Sequence, residues 1–141
     1  MADNSLAGMV ALMHAADAAR AHLESKLAAE NLSQAKLLAL NALHEAGNSL
    51  PLSQLAGRLS CVKSNVTQLV DRLEADGLVK RDDDPKDRRS KLAVMTAAGR
   101  KAYDRGMRLQ TEALGDLFGG LSEAEHRQLK ALMAKIEGAS A

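Results

Sequence analysis

An amphipathic stretch between Cys61 and Gly77 constrains the fold more than any other part of the sequence. Four aliphatic residues recur at the i, i+3, i+4 and i+7 positions of one helical face, namely Val66, Leu69, Val70 and Leu73. The opposite face carries short polar or charged side chains, which are Ser64, Thr67, Gln68, Asp71 and Arg72. Gly77 can adopt a positive φ and predicts the end of the helix. Such a face suits the major groove of DNA, where small polar groups reach base edges and arginine reaches phosphate or guanine. An ordinary surface helix has the same pattern.

Composition predicts one soluble domain with an aliphatic core. The chain has 141 residues, of which 46% are hydrophobic, and its aromatic rings are limited to Tyr103 and Phe118. No apolar run reaches the length of a membrane span, and the N-terminus lacks the regions of a signal peptide. A single cysteine excludes an intrachain disulfide framework and is typical of a reducing compartment. We therefore expect a cytoplasmic protein.

Net charge alone does not indicate a partner. The chain carries a formal charge of +1, and residues 61–91 hold eight basic and seven acidic side chains. A nucleic-acid interface would therefore depend on where the basic side chains are placed.

The residues before the amphipathic stretch predict three helices. Apolar spacing indicates a long first helix over residues 5–28, and Ser33 is a good N-cap for a second helix that stops at Gly47. Pro51 makes residues 49–52 extended, and Ser53 then caps a short helix over 54–59. This short helix and the following amphipathic helix, joined by a tight turn, form a helix-turn-helix.

The residues after Gly77 predict a β-hairpin and two further helices. Residues 78–81 and 91–95 alternate like strands, and the polar, turn-rich residues 82–90 are predicted as a loop between them. Thr96 caps a fifth helix over 97–117, Gly119 and Gly120 end it, and a capping box at 122–125 opens a sixth. The predicted fold is mainly α, with six helices and a small β-hairpin wing.

Several blocks of the sequence, taken in order, resemble the MarR family of bacterial transcription regulators, which are winged-helix DNA-binding dimers. The similarity extends over roughly residues 30–102 and is carried by Leu55-Ala56 and by the segments 64–74 (SNVTQLVDRLE), 77–81 (GLVKR), 84–90 (DPKDRRS) and 96–99 (TAAG). Several ordered blocks are more specific than one motif. The resemblance implies a winged helix-turn-helix DNA-binding region at residues 33–96. It also implies a helical dimerisation region at residues 1–32 and 97–141, within the same compact domain.

The resemblance also implies roles for individual residues. Four residues would face the major groove of DNA, namely Ser64, Asn65, Thr67 and Gln68. Arg72 would lie near the sugar-phosphate backbone of the DNA. Arg88 and Arg89 would carry the wing to the minor groove, with Asp87 pairing to an arginine and fixing its direction. The full set of candidate DNA-binding residues is Ser53, Lys63, Ser64, Asn65, Thr67, Gln68, Arg72, Lys86, Asp87, Arg88, Arg89 and Lys91.

Electrostatics supports the wing assignment independently of the resemblance. A hairpin with Lys86, Arg88 and Arg89 can follow a groove of enhanced negative potential. Taken alone, the same charge run also fits a solvated turn.

Apolar stripes on the first, fifth and sixth helices predict an interface between two copies. The candidates are Leu6, Met9, Met13, Leu114, Leu117, Phe118, Leu132 and Ile136. Packing within one subunit is the alternative for each of them. The resemblance favours a homodimer that reads a pseudo-palindromic operator with half-sites about one helical turn apart.

The sequence does not identify the regulatory signal. Many members of the family release DNA on binding a small molecule, which implies an inducer and a repressor. Cys61 precedes a helix N-terminus and Lys63, both of which lower a thiol pKa, so a redox-responsive regulator is one alternative; plain packing is the other.

The sequence lacks a glycine-rich phosphate loop, a nucleophile elbow, a catalytic triad pattern and a Cys–His cluster. We therefore expect neither an enzyme nor a metal or other cofactor. A helical protein–protein adaptor without DNA binding is the alternative from another functional class.

Overall fold

The computed structural model describes residues 2–59 and 65–139, which form six helices and three strands. The predicted fold class, mainly α with a β-hairpin wing, is confirmed. In chain order the elements are α1 (Ala2–Ala28), α2 (Gln34–Glu45), β1 (Ser49–Pro51), α3 (Leu52–Arg58), α4 (Val66–Ala75), β2 (Val79–Asp84), β3 (Asp87–Met95), α5 (Ala97–Phe118) and α6 (Glu123–Ala139).

Three of the predicted helix caps are present. Ser33 Oγ accepts a hydrogen bond from the backbone N–H of Lys36 at 3.1 Å, and Thr96 Oγ1 accepts one from Gly99 at 3.0 Å. At the start of α6, Ser122 and Glu125 exchange the two bonds of a capping box, at 2.9 and 3.1 Å. These local polar patterns therefore fix the starts of α2, α5 and α6.

The predicted start of α3 is wrong. The helix begins at Leu52, Pro51 occupies the N-cap position, and no side chain caps it. Pro51 has φ −54° and ψ 141°, an extended conformation of the kind that an N-cap residue adopts, so the helix can start directly after it. Ser53 is therefore an exposed residue of the first turn rather than a cap.

The predicted loop over residues 82–90 is also wrong. β2 continues to Asp84 and β3 begins at Asp87, so only Pro85 and Lys86 form the turn. Polar side chains do not prevent strand pairing where both faces of the hairpin reach solvent, because the backbone makes the ladder. The register shifts between Asp83, paired with Lys91, and Asp84, paired with Asp87. Residues 88–90 therefore bulge from β3.

The sheet contains a third strand that the sequence predicted only as an extended segment. β1 pairs antiparallel with β3 through Leu50 and Ala93, which gives the strand order β1-β3-β2. The pairing ties the segment before α3 to the wing.

The core lies in the winged region, by which we mean the elements from α2 to β3. It extends to the neighbouring ends of α1 and α5. Its largest fully buried side chains are Leu27, Leu40, Leu43, Leu55, Val70, Leu73 and Val79. At the start of α5, a Cβ on Gly99 would lie 2.0 Å from the backbone oxygen of Leu78, so the helix approaches the turn after α4 as closely as glycine permits. This contact fixes α5 against the winged region.

Candidate nucleic-acid interface

Helix α4 buries one face and exposes the other. Leu69, Val70 and Leu73 are buried in the core, and the exposed positions of the helix include Thr67, Gln68, Asp71 and Arg72. The polar face is therefore available to a partner along its length.

The side chain of Asn65 already has a structural role. Its Oδ1 caps α4 by accepting hydrogen bonds from the backbone N–H groups of Thr67 at 3.0 Å and Gln68 at 3.4 Å. Capping satisfies N–H groups that have no partner within the helix. The amide nitrogen of Asn65 is the group that remains for a base or a phosphate.

Three candidate residues lie outside the described part of the chain. These are Lys63 and Ser64, predicted to bind DNA, and Cys61, the possible redox residue. Their roles remain predictions.

Two grooves beside α4 bring other candidates together. On the side of α3, Ser53 and Thr67 line a cavity of about 260 Å³ together with Arg81. On the side of α2, Gln68 and Arg72 line a cavity of about 240 Å³ together with Lys36. Each groove thus brings candidates on α4 together with a basic residue of a neighbouring element.

The wing presents its cations at the tip and in the bulge. Lys86, Arg88 and Arg89 are exposed and form no ion pair among the described residues. Asp84 Oδ1 accepts a hydrogen bond from the backbone N–H of Lys86, and Asp87 Oδ1 accepts one from that of Arg89, both at 2.9 Å. These bonds shape the backbone of the tip.

Asp87 therefore contacts an arginine differently from what was predicted. It holds the backbone of Arg89 rather than a guanidinium group, because the turn places the N–H of residue i+2 over the carboxylate. The side chains of Arg88 and Arg89 keep their freedom to reach a phosphate.

Lys91, the other cation of the wing, pairs with Asp83 on the neighbouring strand. This ion pair holds the pKa of Asp83 below its usual range. Part of the charge of Lys91 is therefore neutralised, in contrast to the three cations near the tip.

Three ion pairs that hold α4, two of Arg81 and one of Lys36, were missed in the sequence. Arg81 of β2 donates to Asp71 at 2.6 Å and to Glu74 at 3.1 Å, and the hydrogen bond to Asp71 is the main cause that raises the pKa of Arg81. Lys36 of α2 donates to Asp76 at 2.9 Å, just past the end of α4. The partners are 7, 10 and 40 residues apart in sequence, so no local pattern indicates them.

A second surface, which we call the apolar surface, lies on the terminal helices and the end of α5. Most of the predicted dimerisation residues are exposed, from 49% at Leu114 to 59% at Leu6, whereas Leu117 and Phe118 are half-buried. Val10 and Leu129 are exposed in the same way and were missed. The apolar surface consists of Leu6, Met9, Val10, Met13, Leu114, Leu129, Leu132 and Ile136.

Residues 2–59 and 65–139 contain no group of three or more His, Cys, Asp or Glu side chains placed to hold a metal ion. Over the same ranges, no helix has the length and apolarity to cross a membrane.

Comparison with known proteins identifies the winged region. The sequence model of the MarR family matches residues 32–91, from just before α2 into β3. The uncharacterised HTH-type transcriptional regulator YkoM of Bacillus subtilis is 38% identical over 84 residues, which cover 60% of this chain and 54% of YkoM. The aligned region thus spans about half the length of this relative.

Two solved structures share the fold over most of the chain. BpsR of Bordetella bronchiseptica, whose DNA binding is regulated by 6-hydroxynicotinic acid, has a TM-score of 0.76 at 25% identity, with 89% of each chain covered. Sco3205 of Streptomyces coelicolor, a MarR family transcriptional regulator crystallised in complex with DNA, has a TM-score of 0.79 at 23% identity, with 99% of this chain and 88% of that chain covered. The resemblance found in the sequence is confirmed for residues 32–91, which match the sequence model of the MarR family.

Proposed function

We propose that the chain is a transcription regulator that binds double-stranded DNA sequence-specifically as a homodimer. The observation that carries the proposal is the continuity of two surfaces. The exposed polar face of α4 is joined by Arg81 to the base of a hairpin whose tip and bulge hold three cations without an ion-pair partner among the described residues.

The two surfaces suit the two kinds of contact that specific DNA binding needs. Thr67 and Gln68 on α4 have the size and hydrogen-bonding groups to read base edges in the major groove. Lys86, Arg88 and Arg89 on the wing can contact phosphates or enter the adjacent minor groove. The overall charge of +1 does not oppose this, because these cations are concentrated on one hairpin.

The apolar surface supports the homodimer. The side chains of the apolar surface are 37 to 59% exposed, and none of the residues of α6 is buried. Large contiguous apolar patches on a soluble protein mark interaction sites. Pairing two copies through residues 1–32 and 97–141 would bury this surface. Two-fold symmetry would then place the two α4 helices in successive major grooves of the same duplex.

Repression and a small-molecule inducer complete the proposal. DNA binding by BpsR is regulated by a small carboxylate-bearing aromatic molecule, and this chain shares the BpsR fold over 89% of the length. The dimer could adopt two states that differ in the distance between its two α4 helices. A ligand that binds one state more tightly would change the affinity for DNA by at most the ratio of its own affinities for the two states.

Selection of DNA from a random-sequence duplex library tests the function. We expect one pseudo-palindromic sequence to be enriched, and to bind at least about 10³ times more tightly than a scrambled duplex at physiological salt. Affinity should fall linearly with salt concentration on a double-logarithmic plot. Absence of any enriched sequence, together with equal weak binding to all duplexes, would contradict the proposal and favour a protein adaptor.

A further inference from the structure

Helix α4 carries acidic residues on its exposed face, which would approach DNA under the proposed function. Asp71 and Glu74 are exposed on α4, whose single basic residue is Arg72. A carboxylate beside a phosphate is a like-charge contact, which weakens binding. Docking α4 into the major groove therefore requires that these two acids be neutralised.

Arg81 is placed to neutralise both. It lies on β2, where its backbone pairs with Ala93 of β3, so its position is fixed by the sheet. Its guanidinium reaches Asp71 through one terminal nitrogen and Glu74 through the other. A planar fork can hold two carboxylates in a defined geometry, which a lysine ammonium cannot reproduce.

We propose that Arg81 is a positioning residue for DNA binding: from the base of the wing it neutralises Asp71 and Glu74 and fixes the orientation of α4 relative to the wing. This inference rests on the proposed function. Arg81 acts through the two acids rather than by touching DNA, since both terminal nitrogens are engaged and its side chain is only 27% exposed.

The ion pairs are half-exposed, so their contribution to overall stability is small. The effect of Arg81 should therefore appear in DNA affinity and specificity rather than in thermal unfolding. This separates a positioning role from a purely structural one.

A double-mutant cycle on the DNA sequence selected by the wild-type chain tests the inference. Affinity for the selected and scrambled duplexes is measured for wild type, Arg81→Gln, Asp71→Asn/Glu74→Gln, and the triple variant. We expect Arg81→Gln to weaken binding to the selected duplex by about tenfold or more, because it leaves two uncompensated carboxylates at the interface. In the background without the acids, the same substitution should change affinity by less than about threefold.

Two further variants control the cycle. Arg105→Gln removes an ion pair of similar length (3.1 Å, with Glu30) that joins α5 to the turn after α1 and involves no residue of α4, and we expect it to leave affinity unchanged. Arg81→Lys keeps the charge without the fork, and we expect an intermediate loss. Should Arg81→Gln fail to fold, Arg81→Lys replaces it in both backgrounds: a loss of affinity that occurs with the two acids and disappears without them supports the inference, and equal effects in the two backgrounds overturn it.

Equal losses from Arg81→Gln in both backgrounds would overturn the inference, since they would mean a direct contact with DNA. No loss in either background would overturn it as well. Both outcomes leave the proposed function intact as long as a sequence is enriched in the selection, whereas failure to enrich any sequence defeats the function itself.

Discussion

The winged region and the terminal helices differ in how completely they bury their own apolar side chains. In the winged region, leucines such as Leu40, Leu43 and Leu55 are fully buried, and the polar groups are on the surface. In α6 no residue is buried, and Leu132 and Ile136 are more than half exposed. The winged region therefore buries its apolar side chains within one copy. The terminal helices keep an exposed apolar surface, whose proposed partner is a second copy of the chain.

This difference separates the two parts of the proposed function, which are DNA binding in the winged region and dimer assembly through the apolar surface. Substitutions on the exposed face of α4 or on the wing should change DNA binding without changing assembly. Substitutions on the apolar surface should change assembly first, and DNA binding as a consequence of it.

The largest effect is expected from charges placed in the apolar surface. Leu132→Asp/Ile136→Asp should give a folded monomer, because neither side chain belongs to the core of one copy. Affinity for the selected duplex should fall by about 10²–10⁴-fold, since the second half-site no longer binds as part of the same molecule. Sedimentation and fluorescence anisotropy measure the two quantities.

Lys130→Asp is the matched control for this variant. It changes the net charge by the same amount on the same helix, at an exposed polar position, and should leave assembly and affinity unchanged. If Leu132→Asp/Ile136→Asp remains dimeric, the contrast between the two regions is wrong.

A smaller effect is expected at the wing. Arg89→Ala should weaken binding to selected and scrambled duplexes alike, and should lower the salt slope by about one, because one cation–phosphate contact is lost. Lys91→Ala should lower the slope less, since Asp83 already neutralises part of that charge. Titrations across salt concentrations measure both slopes. An unchanged slope for Arg89→Ala would remove the wing from the interface.

A base-reading residue should act on specificity instead. Gln68→Ala is expected to reduce discrimination between the selected duplex and single-base variants of it by about 1–3 kcal/mol at one position. Non-specific affinity should be nearly constant. Gln54→Ala, at an exposed position of α3, is the control. Parallel losses on selected and scrambled DNA would show that Gln68 does not read a base.

The smallest effect concerns the contact between α1 and α5. Asp116 of α5 contacts His22 at 2.9 Å and Lys26 at 3.2 Å, and the hydrogen bond to His22 is the main cause that lowers the pKa of Asp116 below its ordinary value of 3.8. A carboxyl with a lowered pKa in the folded state stabilises the protein above its unfolded pKa, and this stabilisation is lost as the pH falls through the folded pKa.

Asp116→Asn should therefore lower the melting temperature slightly at neutral pH, and the difference from wild type should disappear well below pH 3.8. Asp17→Asn, which removes an exposed contact within α1, is the control. Thermal unfolding between pH 2 and pH 7 measures the difference. A difference from wild type that persists unchanged at the acid end would contradict the assignment.

Local signals predicted much of this fold. Ser33, Thr96 and the Ser122–Glu125 box define helix starts through bonds to residues three positions away, so they can be read from short segments of sequence. The apolar spacing of α4 correctly predicted its buried and exposed faces.

Long-range contacts account for what the sequence did not predict. The ion pairs of Arg81 and Lys36 depend on how β2 and α2 pack against α4. The polar composition of residues 82–90 suggested a loop, but backbone pairing with β3 decides their structure. Asn65 was predicted as a DNA contact, and its capping role became apparent only once the start of α4 was known.

The stoichiometry and footprint of the complex with the selected duplex test the central proposal most directly. We expect native mass spectrometry to find two chains per duplex, and backbone protection at two sites about one helical turn apart. A complex of one chain per duplex with a single protected site would contradict a homodimer that reads two half-sites with its two α4 helices.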